Sequence, residues 1–192
     1  EIKPTKLQTP EWRTYDFSDS TGYYIDPFEF YFEEGSHVIQ LEALREAYVI
    51  KSITLKPAQE TVSYEEYLKR YGESAYVNEA DIAAASEDGQ KTIKVEAEMV
   101  DRTSDMSIYP ADDRSSAITS PQNSSKIMLN AIGGETQGTT VGQGASWKVT
   151  VPKSGLYKIG VRFRQNSTGG LFSSRKIKIN GEVPFEQAKY LQ

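Results

Sequence analysis

The chain has 192 residues, 38% of them hydrophobic, which is enough for one large or two small domains with thin cores. Its formal charge of −5 argues against nucleic acid or an anionic membrane as the main partner, because both demand a concentrated positive field. The absence of cysteine excludes disulfides, thiolate metal sites and cysteine nucleophiles, and no apolar run is long enough to cross a bilayer as a helix.

No signal peptide is visible at the start of the sequence, but the first residue is not Met, which is compatible with a removed targeting segment. Residues 1–12 carry Pro4 and Pro10 without periodicity and read as an extended lead-in. Residues 12–17 fit a short strand, and residues 18–22, rich in Ser and Asp, fit a turn. Phe28, Phe30 and Phe32 then alternate with Glu29, Tyr31 and Glu33; after Glu34, Gly35 and Ser36, Ile39, Leu41 and Ala43 alternate with Gln40 and Glu42. The pattern predicts a hairpin. A further strand over residues 48–56 stops at Pro57, which cannot donate to a ladder.

The periodicity changes at Ser63, where Ser63 and Glu66 have capping-box spacing and Tyr64, Tyr67, Leu68 and Tyr71 recur at helical intervals before Gly72. A second short helix is expected over residues 78–86, with Asn78 as cap, Asp81 in its first turn and an alanine-rich body. Residues 58–90 therefore read as a helical linker. Beyond it Ile93, Val95 and Ala97 alternate with Lys94, Glu96 and Glu98, which predicts a strand. Residues 101–144 are polar, with weak strands expected near 106–109 and 126–130 and glycine-rich loops at 133–144.

The stretch from Gly144 to Glu182 organises the rest. Trp147, Val149 and Val151 alternate with Lys148 and Thr150; past a turn at 152–155, Tyr157, Ile159, Val161 and Phe163 alternate with Lys158, Gly160, Arg162 and Arg164. Ile177 and Ile179 follow between Lys176, Lys178 and Asn180, and Asn180-Gly181 is a turn dipeptide. Three half-buried strands specify one face of a sheet.

The Val95-Glu-Ala-Glu98 strand, the Trp147 to Arg164 pair of strands and the Ile177-Lys-Ile-Asn-Gly181 turn resemble, in order and spacing, the galactose-binding-like β-sandwiches of carbohydrate-binding module families 6 and 35. Residues 12–35 look like the closing half of the same kind of sandwich. The whole chain is similar to the tandem non-catalytic β-domains of bacterial surface proteins that serve as extracellular solute-binding proteins of sugar uptake systems. The resemblance implies an all-β, jelly-roll sandwich with a short helical linker. Its order is inverted: residues 1–57 form the closing half of a first sandwich, 58–90 the linker, and 91–192 the opening half of a second. The chain thus reads as a fragment, and the two halves are expected to pack as one permuted sandwich, since each alone leaves an open edge and an apolar face.

In the resembled modules the carboxylates matching Glu96 and Glu98 help to bind a structural Ca²⁺, an ion suited to hard oxygen ligands. The alternative is a solvated acidic edge. Sugar recognition usually sets an aromatic ring beneath a pyranose and polar side chains against its hydroxyls, and the loop candidates are Tyr109, Arg114, Gln143, Trp147, Asn166 and Phe172. The parity of Trp147 with Val149 and Val151 favours a core position, whereas Tyr109 fits either an exposed platform or a cover for the sandwich end. The triplets at Asn123 and Asn166 match a glycosylation acceptor. The single His37 lies near the expected hairpin turn and reads as exposed, which leaves no partner for a Ser-His dyad and no second imidazole for zinc; there is no Gly-x-Ser-x-Gly elbow, and no spacing singles out a carboxylate pair for glycoside chemistry.

These residues point to a non-catalytic module on the exterior of a bacterial cell, with a glycan or oligosaccharide and the neighbouring domains of a longer chain as partners. A structural spacer of a solute-binding protein is the main alternative, and an accessory domain of a glycoside hydrolase or lyase is a third.

Overall fold

Residues 12, 14–24, 26–44, 49–58, 60–72, 76–134, 137–164 and 173–191 are described by a computed structural model of the protein. The chain divides into two units, Glu1–Glu60 and Thr61–Gln192. The boundary falls three residues beyond Pro57, and the helices expected to form a linker belong to the second unit. No helix among the described residues is long and apolar enough to cross a membrane.

The first unit has no helix and no ladder among its described residues. Asp19 organises it locally, accepting hydrogen bonds from the Thr21 amide at 2.8 Å, the Thr21 hydroxyl at 2.7 Å, and the amides of Tyr23 and Tyr24 at 2.8 and 3.1 Å. The Phe28 amide donates to the Phe17 carbonyl at 2.8 Å, and the rings of Phe17 and Phe30 meet edge to face at 6.5 Å. Lys56 reaches Asp16 at 2.5 Å across forty residues of sequence. Phe28, Phe30 and Phe32 remain exposed, Phe30 to 63%.

In the second unit the helices form where their caps predict. Helix α1, Tyr64–Tyr71, begins at Ser63, whose side chain accepts from the Glu66 amide while Glu66 reaches back to the Ser63 amide. The two bonds satisfy donors that the first helical turn leaves orphaned. The Tyr64 amide, another such donor, bonds to Gln187 Oε1 at 2.9 Å. Phe185 packs against Tyr64 and Tyr67 with ring centroids at 4.8 and 5.1 Å, and the Glu186 amide donates to the Val62 carbonyl. Helix α1 is thereby docked on the 3-10 turn Glu186–Lys189, where Ala188 is fully buried. Helix α2, Glu79–Ala85, is capped reciprocally by Asn78 and Asp81, and Lys153 holds Asp81 at 3.2 Å. Its Ile82 and Ala85 line a shallow cleft with Ile93, Thr150 and Pro152.

The ladders are short. Strand β1, Arg102–Thr103, pairs antiparallel with β4, Ala145–Ser146, and β2, Pro110–Ala111, pairs antiparallel with β3, Ala131–Ile132. These last two lie one or two residues beyond the weak strands expected near 106–109 and 126–130. Residues 28–33, 147–151 and 157–163, which alternate like strands, carry no ladder among the described residues. Alternation sets side-chain parity, but a ladder also needs a second backbone about 4.8 Å away, which no local signal supplies. The Asn180-Gly181 turn forms as a two-residue hairpin: both residues have positive φ, 53° and 90°, and Ile179 and Glu182 exchange backbone bonds at 2.8 and 3.1 Å.

Candidate functional site

The densest set of side-chain bonds lies on the loops flanking β2, and Asx turns build it. An Asp or Asn followed two residues later by Ser or Thr can accept from both the amide and the hydroxyl of that residue, fixing the loop without a ladder. Asp105 does this with Ser107, Asp113 with Ser115 and Asn123 with Ser125. The Asp19 turn in the first unit repeats the pattern with Thr21.

Around these turns the loops are stitched together. Asp113 also accepts from the Thr119 hydroxyl at 3.2 Å and from Arg164 at 2.8 Å. Asn130 accepts from the Asp113 amide at 2.8 Å and donates to the carbonyls of Asp113 and Pro121 at 3.1 and 2.8 Å. The Ser115 hydroxyl first, then Arg164, hold the Asp113 carboxyl well below the usual carboxylate range. Ser107, through its hydroxyl and its amide, lowers Asp105 in the same way. Both side chains are held ionised, which suits them to anchoring loops and not to donating a proton.

Tyr109 stands between the two clusters. Its amide donates to Oε1 of Gln137, a buried residue, at 2.9 Å, and Ile108 beside it is buried, yet Tyr109 itself is 53% exposed. Gln143 donates to the Ser107 hydroxyl at 2.8 Å and to Asp105 at 3.2 Å, and its Oε1 accepts from the Thr140 amide at 3.0 Å. The structure thus brings Tyr109 and Gln143 to one turn. Arg114 lies beyond β2, where it bonds to Asp112 at 2.8 Å and to the Lys126 carbonyl at 2.9 Å. Trp147 follows β4; its indole donates to the Ala97 carbonyl at 3.0 Å, and the residue is 39% exposed, so the core position favoured by its parity is not attained. Asn166 and Phe172 lie outside the described residues.

Glu96 is paired with Lys94, and Glu98 is half-buried within a turn at 96–99 that replaces the strand expected there. Among the described residues no three His, Asp or Glu side chains converge as a metal site would require. A Ca²⁺ cage needs six to eight oxygens. Glu96 and Glu98 alone fall short of that number, and no third acidic side chain joins them among the described residues.

The sequence reading missed Asp105, Asp113, Asn130, Gln137 and Arg164, which hold the loops. The Asp-x-Ser and Asn-x-Ser spacing signals the turns at 105, 113 and 123. Nothing local marks Gln137 or Arg164, because their partners lie 28 and 51 residues away. Comparison with protein-family models, with curated proteins and with solved structures yields no match.

Proposed function

We propose that the chain is a non-catalytic, glycan-recognising module of the galactose-binding-like sandwich class, from the exterior of a bacterial cell, with the loops around β2 as its binding face and Tyr109 as its platform. The observation that carries the reading is the presentation of Tyr109. Tyr109, more than half exposed, stands on a backbone bonded to a buried glutamine and flanked by two carboxylate-anchored turns, so the point from which its ring projects is set before any ligand arrives. Such preorganisation lowers the entropic cost of stacking a sugar face. The proposed partners are a glycan or oligosaccharide and, within a longer protein, neighbouring domains of a sugar-uptake or polysaccharide-processing assembly.

A glycan array and affinity-gel screen of the full chain tests this, with Tyr109→Ala compared at matched far-UV circular dichroism. The expected loss is about tenfold or more, since a ring platform contributes about 1.5 kcal/mol. Chelator is expected to leave binding unchanged, because Glu96 is already paired with Lys94. A specific observation favours the spacer as a second reading: the polar atoms of Arg114 and Gln143 already hold the loops together. A folded chain that binds no glycan would establish that reading instead.

A further inference from the structure

The turn built on Asp19, within the first unit, presents a run of aromatic rings. Asp19 accepts from the amides of Tyr23 and Tyr24 at 2.8 and 3.1 Å, and the Phe28 amide is tied to the Phe17 carbonyl at 2.8 Å, so the backbone beneath each ring is held. The Tyr23 and Tyr24 centroids lie 6.1 Å apart with the rings tilted by 57°, and the Tyr24 and Phe28 centroids lie 6.1 Å apart at 59°. None of the rings is withdrawn into a core: Tyr23 is 88%, Tyr24 65% and Phe28 45% exposed.

The surrounding charge selects the sign of a ligand. Residues 14–33 carry Asp16, Asp19, Asp26, Glu29 and Glu33 and no Lys or Arg. Lys56 pairs with Asp16, while the Thr21 hydroxyl foremost, then the amides of Thr21, Tyr24 and Tyr23, keep Asp19 ionised beside the backbone that carries two of the rings. Ring faces are themselves negative in their quadrupole, so rings and carboxylates favour the same cation. Lys51 makes such a contact elsewhere in this unit, its Nζ 5.5 Å from the Trp12 centroid; among the described residues no cation stands over Tyr23, Tyr24 or Phe28.

Tilt and hydration narrow the choice further. Rings tilted by 57° and 59° share no plane, so a flat pyranose face stacks on one of them at a time, whereas a rounded group meets two. Centroids 6.1 Å apart allow one cation to lie within the cation–π range of about 6 Å of both neighbours. A primary ammonium is strongly hydrated and gains little on an open surface, but a trimethylammonium group spreads its charge under methyl groups that also bury apolar area against the rings. A phosphate on the same molecule would meet the carboxylates of residues 14–33 and no Lys or Arg of that segment.

We propose that Tyr23, Tyr24 and Phe28 form a binding site for the quaternary ammonium group of a small, unphosphorylated organic cation such as choline, with Tyr24 as the shared wall and Asp19 holding the turn. The site does not rest on the glycan reading, because its residues belong to the first unit and Tyr109 to the second. In an NMR titration of the full chain, choline and tetramethylammonium are each expected to shift the ring protons of Tyr23, Tyr24 and Phe28 and to saturate at about millimolar concentration. The neutral carbon analogue of choline, with a tert-butyl group in place of trimethylammonium, should bind about tenfold more weakly, as should phosphocholine. Tyr24→Leu should weaken choline about fivefold or more, and Tyr24→Phe, which keeps the ring face, should stay within about twofold of the parent. The ligand comparison needs no substitution, so it decides even where Tyr24→Leu misfolds. No saturable shift with either cation, a neutral analogue or phosphocholine that binds as tightly as choline, or binding that survives Tyr24→Leu in a folded chain would each overturn the proposal.

Discussion

At the scale of single residues, short polar side chains do much of the work that ladders do elsewhere. Asp19, Asp105 and Asp113 each gather amides and hydroxyls within a few residues, and each is lowered in pKa chiefly by the hydroxyl two positions on. Asp19 falls from 3.8 to about 2. A carboxyl whose folded pKa is depressed stabilises the fold above its unfolded value, and the contribution is lost as pH falls through the folded value. The thermal midpoint is therefore expected to hold from pH 7 to about 5, as far as these groups govern it, and to fall between about pH 4 and 2. Asp113→Asn should remove part of that acid sensitivity, read by scanning calorimetry at each pH. The Asp113 turn carries the larger structural burden, because Asn130, Thr119 and Arg164 all converge on it.

At the scale of elements, helix α1 joins a local signal to a distant partner. Its capping box is complete within four residues, yet eight residues are too few for a stable isolated helix in water. Phe185, Gln187 and Glu186 supply the remainder from more than a hundred residues away. Ser63→Ala is expected to cost about 1 kcal/mol through the lost cap. Phe185→Ala should cost about 2 kcal/mol, less than a fully buried ring because Phe185 is half-buried, and should release α1 from the 3-10 turn. Denaturant titration separates the two. The first change shifts the midpoint alone, whereas the second should also change the slope if α1 comes free before the rest unfolds.

At the scale of the whole molecule, both helices, their anchors, all four short strands and the candidate binding loops belong to Thr61–Gln192. A chain cut to residues 61–192 is therefore expected to keep the helical circular dichroism of the full protein and the α1 resonances shifted by the Phe185 ring; loss of either would place part of their support in the first unit. By itself the sequence determined whatever is closed within a few residues: the caps at Ser63 and Asn78, the Asn180-Gly181 hairpin and the Asp-x-Ser turns. It also set the parity of the alternating segments and the residue types presented on the loops. Only the tertiary structure decided that Arg114 and Gln143 are engaged in holding loops, that Gln137 is buried beneath Tyr109, that the indole of Trp147 is tied to Ala97, and that Arg102 pairs with Ser146 across 44 residues. The reason is the range of the interactions. A turn or a cap finds its partner along the chain, where local stereochemistry restricts the choices to a few, whereas a ladder or an ion pair takes its partner from any segment that the fold brings alongside.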